Sequence, residues 1–151
     1  MNILVTLNRG YLYQLCVMLS SLIKSNPDTE FDVYVMNASL TEADFEAVRQ
    51  RIPADKCRLI DIKTGENEFA DAPITDRYPR EMYFRIFAAK YLPESLDRIL
   101  YLDPDIVVLG SVKELYETRL DGYYYAAASH VNEVMRMINK IRLGMDDEGP
   151  Y

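Results

Sequence analysis

Asp103 and Asp105 stand one residue apart inside the run Arg98-Ile-Leu-Tyr-Leu-Asp-Pro-Asp-Ile-Val-Val-Leu109, with apolar residues on both sides. In an extended segment residues two apart project to the same side, and Pro104 fixes one backbone angle between them, so both carboxylates can point together. Held close they repel, and a divalent cation relieves the repulsion. All-oxygen ligands suit Mg²⁺, Mn²⁺ or Ca²⁺ rather than softer metals, and few protein ligands leave positions open for phosphate oxygens. An ion there could stabilise a diphosphate leaving group as charge builds on it. Asp-Pro-Asp alone is also ordinary turn composition. Its place at the edge of apolar strands, where charge is costly, favours the cation.

The elements that must position this motif follow from periodicity. Asn2 to Leu7 is apolar and β-branched, a buried strand broken by Asn8-Arg9-Gly10. From Tyr11 to Ser25, Leu12, Leu15, Cys16, Leu19, Leu22 and Ile23 recur at helical spacing, and Asn26-Pro27 ends the helix. Phe31 to Met36 predicts a second strand. Thr41 with Asp44 predicts a capping box opening a helix to about Arg51. Arg58 to Ile62 predicts a third strand, and Lys63 to Pro79 a long functional loop. Arg80 to Tyr91 predicts a helix with Tyr83, Ile86, Phe87 and Tyr91 on its apolar side, Arg98 to Leu102 a strand, and Ile106 to Leu109 a further extended stretch. A short helix near Val112 to Tyr116, a strand over Tyr123 to Ala128 and a last helix over Val131 to Ile141 complete the pattern. Strands alternating with helices predict an α/β, Rossmann-like domain, a mainly parallel sheet with helices on both faces. In such sheets ligands sit beyond the carboxyl ends of the strands, which places residues 8–11 and 103–105 on one rim.

A chain of 151 residues, 49% of them hydrophobic, is the size of a single domain with an ample core. A net charge of −7 with scattered lysines argues against nucleic acid and against a polybasic membrane patch. Cys16 and Cys57 form no metal or redox motif and suit buried thiols in a reducing compartment. The N-terminal apolar run is too short for a signal peptide or a membrane span, so a cytoplasmic protein is expected.

The opening Ile3-Leu-Val-Thr-Leu-Asn-Arg-Gly-Tyr11, the helix with Ser20-Ser-Leu22, Glu81-Met-Tyr-Phe-Arg85 and above all Arg98-Ile-Leu-Tyr-Leu-Asp-Pro-Asp105 resemble the retaining glycosyltransferases of family 8, the family of glycogenin and of lipopolysaccharide galactosyl- and glucosyltransferases. The likeness covers nearly the whole chain. It implies a GT-A fold, a UDP-sugar donor, a sugar or glycan acceptor, and Mn²⁺ (or Mg²⁺) held by the D-x-D pair Asp103 and Asp105 around Pro104. It also implies hexose transfer to a sugar hydroxyl with retention. By position, Thr6, Leu7 and Asn8 would line the uridine, Tyr11 would stack on the base, and Arg85 would reach ribose or phosphate oxygens. Relatives often carry an acidic residue where Asn8 stands and Asn where Gly10 stands. His130 lies where some carry an Asp near the acceptor, and equally fits a strand end or helix cap.

Family members continue with an Asn-x-Gly segment, a further Asp and a metal-ligating His after the equivalent of Tyr151, so an N-terminal portion is expected. An open sheet edge would then favour self-association. Two other readings compete. One is an inactive UDP- and metal-binding remnant or interaction module. The other is a haloacid-dehalogenase-like phosphatase, which also follows an apolar strand with D-x-D but places it on its first strand.

Overall fold

The computed structural model describes residues 1–65, 68–69, 71–72, 80–128 and 141. The chain divides into two compact units, Met1–Glu117 and Thr118–Tyr151.

In the first unit four strands, β1 (Asn2–Thr6), β2 (Phe31–Asn37), β3 (Cys57–Lys63) and β4 (Leu100–Tyr101), form one parallel sheet in the order β3-β2-β1-β4. The register sets Ile3 beside Val33 and Leu100, and Val33 beside Leu59. Successive strand residues face opposite sides, and this sheet fills both. Ile3, Val5, Leu7, Val33, Val35 and Leu59 enter one core. Leu4, Tyr34 and Met36 enter a second, with Phe84 and Ala88.

The first core is covered by α1 (Leu12–Ser25) and α2 (Glu42–Arg49). On α1 the buried stripe is Leu15, Cys16, Met18, Leu19 and Leu22, and full burial of a Leu- or Met-sized side chain stabilises by about 1.5–3 kcal/mol. Asn26 ends the helix. Its amide donates to the Leu22 carbonyl at 2.8 Å and its Oδ1 accepts the Val112 N–H at 3.0 Å. The expected capping box opens α2: Thr41 accepts the Asp44 N–H, and Asp44 Oδ2 accepts the Thr41 N–H at 2.9 Å. The Thr41 N–H, above all, and the Thr41 hydroxyl, both donating to Asp44 Oδ2, hold the Asp44 carboxyl below its usual range; burial opposes them, and Arg9, 2.9 Å away, adds to them. Cys16 and Cys57 are buried free thiols; burial raises both, with Cys57 pushed up to about 12.

The second core is covered by α3 (Glu81–Phe84) and a 3₁₀ segment, Arg85–Lys90. One regular helix was expected over 80–91. The structure divides it, with Phe87 outside helical geometry at φ −113°, ψ 21°. Its buried side is Phe84 and Ala88, with Tyr91 partly buried, while Ile86 and Phe87 are exposed. The tighter 3₁₀ winding rotates side chains away from the 3.6-residue stripe on which the expectation rested.

Lys63, expected to open the long loop, closes β3 instead. Thr64 N–H donates to the Asn37 carbonyl at 3.0 Å, and Glu68 and Phe69 reach the side covered by α3 and the 3₁₀ segment. Glu68 accepts from Lys90 at 2.7 Å and from the Tyr91 hydroxyl, and the Phe69 ring stacks on Tyr83 at 5.8 Å. Residues 106–109 join no strand. Val108 N–H donates to Ser21 Oγ at 3.0 Å and its carbonyl accepts from Ser25 Oγ at 2.9 Å, so α1 side chains take the bonds a ladder would have made. The short helix near 112–116 is α4 (Lys113–Tyr116).

In the second unit the strand expected over 123–128 does not form. Asp121 (φ 45°) and Gly122 (φ 92°) make a tight turn closed by Tyr123 N–H to the Leu120 carbonyl at 2.8 Å. The positive φ of both central residues is what a type I′ turn requires, and glycine adopts it without strain. Tyr123, Tyr124 and Tyr125 are exposed. A tyrosine run favours strands only where a neighbouring strand offers a ladder, and the described residues supply none. His130 and the helix expected over 131–141 lie outside the described residues, apart from Ile141.

Candidate functional site

The chain builds the sheet outward from β1 through β2 to β3, then returns to place β4 on the other side of β1. The direction of winding reverses between β1 and β4, and crevices open at the carboxyl ends of such neighbours. The segments leaving those two strands carry Asn8 and Asp103. A cavity of about 480 Å³ lined by Asn2, Leu96, Asp97, Arg98 and Tyr116 includes the opening residue of β1, at the amino end of the strands, away from this rim.

At the crevice one phenol links three residues. The Tyr101 hydroxyl donates to Asp103 Oδ1 at 2.7 Å, accepts from Arg85 Nη1 at 3.2 Å, and lies 3.3 Å from Thr6 Oγ1. Arg85 Nη1 also reaches Asp103 Oδ1 at 3.3 Å, and its guanidinium lies over the Tyr101 ring, 5.1 Å from the centroid. Arg85 is steadied from behind by Nε donating to the Met82 carbonyl at 3.1 Å. Burial, above all, pushes the Tyr101 hydroxyl up to about 12; the Thr6 hydrogen bond and Arg85 pull it down, and Asp103 pushes it up. The phenol therefore stays protonated and donates at neutral pH.

Beyond Tyr101 the residues alternate: Leu102 and Pro104 are buried, and Asp103 and Asp105 exposed. The Asp103 side chain is 54% exposed. Among the described residues, Asp103 Oδ2 and the whole Asp105 carboxylate have no hydrogen-bond or ion-pair partner. The described residues contain no cluster of three or more His, Cys, Asp or Glu side chains arranged for a metal. What remains is a hard, all-oxygen donor pair on an open rim, which fits part of the shell of Mg²⁺ or Mn²⁺.

The other expected positions are distributed around this network. Thr6 is buried, its hydroxyl engaged with Tyr101. The Leu7 side chain lies in the first core and its N–H is bonded to the Met36 carbonyl. Asn8 caps the 3₁₀ turn Arg9–Tyr11: Oδ1 accepts the Gly10 N–H at 2.9 Å, and Nδ2 donates to Glu81 Oε2 at 3.4 Å. A carboxylate at position 8 would face Glu81 with like charge, and a Cβ on Gly10 would stand 3.1 Å from Asn8 Oδ1. The two residues that depart from the common pattern thus fit each other and Glu81. Tyr11 is half-buried and packs against the first core.

Tyr101 escaped the sequence reading, which took it for a strand residue. The signal was its parity: it precedes Asp103 by two in an extended run and so shares its side. Glu81 stands out in the sequence only as part of the Glu81-Met-Tyr-Phe-Arg85 resemblance.

A parallel sheet whose winding reverses at a polar crevice defines a Rossmann-like α/β domain. The structure is similar over its whole length to the galactosyltransferase LgtC in complex with donor and acceptor sugar analogues, with a TM-score of 0.85, 28% identity and 54% of that chain covered; the fold is GT-A. The family model for glycosyl transferase family 8 matches residues 2–147, and the chain belongs to that family. Lipopolysaccharide 1,2-glucosyltransferase of Escherichia coli K12 is 28% identical over 140 residues, 93% of this chain and 40% of that protein. Lipopolysaccharide 1,3-galactosyltransferase of Salmonella typhimurium is 28% identical over 120 residues, 77% of this chain and 34% of that protein. The chain spans about half, or less, of the length of these relatives. The phosphatase alternative fails on position, since the D-x-D follows β4 and not the first strand. Among the described residues no helix is long and apolar enough to cross a membrane.

Proposed function

We propose that residues 1–151 act as the donor-binding domain of a hexosyltransferase that moves a hexose from a UDP-sugar to a sugar hydroxyl with retention. Asp103 and Asp105 are the protein ligands of Mn²⁺ (or Mg²⁺), with Pro104 setting the backbone between them. The observation that carries this reading is the arrangement at the β1/β4 crevice: a fixed carboxylate with one oxygen free, a second free carboxylate two residues on, and a guanidinium alongside. When bound, the cation supplies positive charge against the diphosphate leaving group. Arg85 adds a fixed positive charge suited to phosphate oxygens. The Asn8 loop with Leu7 offers backbone and amide groups to a base edge, and Tyr11 a ring face. The acceptor is a sugar or glycan, and the reaction runs in the cytoplasm, where nucleotide sugars are made.

The test is the melting temperature of the chain with UDP, UDP-glucose and UDP-galactose, each with and without Mn²⁺, beside Asp103→Asn and Asp105→Asn. Ligand at about 100 times its Kd adds roughly 2.7 kcal/mol, which at this size is a shift of several degrees. A Mn²⁺-dependent shift lost in both variants supports the donor site. A folded chain with no shift overturns it and leaves an inactive remnant.

A further inference from the structure

We propose that Tyr101 is a positioning residue of the cation site, its hydroxyl turning the Asp103 carboxylate so that Oδ2 stands free for a divalent ion beside Asp105. The inference rests on the donor-site reading above.

The hydrogen-bond polarity leaves one arrangement. A phenol has one hydrogen and two acceptor positions. Arg85 can only donate, so it occupies one acceptor position at 3.2 Å. The Asp103 carboxylate can only accept, so it takes the hydrogen at 2.7 Å. Thr6 Oγ1, at 3.3 Å, must then donate into the remaining position. Every capacity of the hydroxyl is filled, and the chain of bonds runs from Thr6 through Tyr101 to Asp103. Both Tyr101 and Arg85 converge on Oδ1, so the carboxylate is held by one oxygen and presents the other. The phenol cannot drift, because β4 pairs Tyr101 with Leu4 of β1 and the ring packs on the second core. Outer partners of metal-ligating carboxylates act this way, and their loss typically weakens metal affinity 10- to 100-fold.

Tyr101→Phe removes the hydroxyl and keeps the ring. Calorimetric titration of the full chain with UDP over a series of Mn²⁺ concentrations gives the Mn²⁺ level that half-saturates UDP binding. The variant should need roughly tenfold more Mn²⁺, or beyond, with UDP affinity at saturating Mn²⁺ near that of the unaltered chain. Thr6→Val, which removes the outer end of the relay, should shift the same midpoint by a few-fold, and serves if the tyrosine variant does not melt cooperatively. A purely structural role for the hydroxyl would lower the melting temperature and leave the Mn²⁺ midpoint in place. An unmoved midpoint in folded Tyr101→Phe, or in Thr6→Val where that variant stands in, therefore overturns the proposal and leaves the donor site standing. An unaltered chain that binds no UDP with Mn²⁺ overturns both.

Discussion

The same rim of the sheet is built in two contrasting ways. Over β2 and β3, Asn37 is fully buried and its amide is saturated. Oδ1 accepts from Leu40 N–H at 2.8 Å and Lys63 Nζ at 2.7 Å, while Nδ2 donates to Asp61 Oδ1 at 2.8 Å and the Val35 carbonyl at 3.1 Å. Lys63 closes the circuit on Asp61 Oδ2 at 3.0 Å. Over β1 and β4 the polar groups are just as connected on their inner side, yet Asp103 Oδ2 and Asp105 face outward with capacity left. Similar side chains at equivalent strand ends thus serve stability in one place and offer coordination in the other. What separates them is whether the hydrogen-bond inventory closes.

Perturbing each half should separate these roles. The largest effect falls on Asp103→Asn and Asp105→Asn, where the Mn²⁺-dependent gain in UDP affinity should vanish while unfolding in urea stays close to that of the unaltered chain, since both side chains are exposed. Next, Asn37→Leu should cost about 2–3 kcal/mol in urea unfolding, because it strands buried partners, and should leave any UDP midpoint unchanged. If Asn37→Leu abolished UDP binding in a folded protein, the division of the rim would be wrong. Thr41→Ala, which removes the N-cap of α2 beside that closed half, should cost about 1 kcal/mol. The smallest signal is in acid. Asp44 is held below its unfolded value, so it contributes stability above the ordinary carboxylate pKa and loses it as pH falls through its lowered one. Asp44→Asn should therefore flatten the acid limb of stability against pH, read from urea midpoints at descending pH, and change nothing in the slope near neutrality.

Much of this fold is legible in the sequence. The apolar runs in 2–7 and 31–36, the α1 stripe and the Thr41/Asp44 box are local patterns with local causes, and each formed where expected. The placement of residues 8 and 103 on one rim followed from α/β topology. Apart from the local kink in 80–91, what failed depended on partners distant in sequence. The run 106–109 looked like a strand, but its bonds go to Ser21 and Ser25, and no periodicity reveals a serine 87 residues away. Residues 123–128 carried strand propensity without a ladder. The contacts of Tyr101 were hidden for the same reason, since Thr6 and Arg85 meet it only after folding.

The serine clamps on Val108 bear on the motif that precedes them. The last ladder bond before it, Leu102 N–H to the Leu4 carbonyl at 3.0 Å, ties one end to β1, and Ser21 and Ser25 tie the other to α1. Only 103–107 lie between these anchors, too few to wander. Fixing one residue's backbone costs about 1–2 kcal/mol of conformational entropy. Here folding itself meets that cost, so an incoming ion meets carboxylates whose backbone is already in place, and its affinity reflects coordination and desolvation with little left to order.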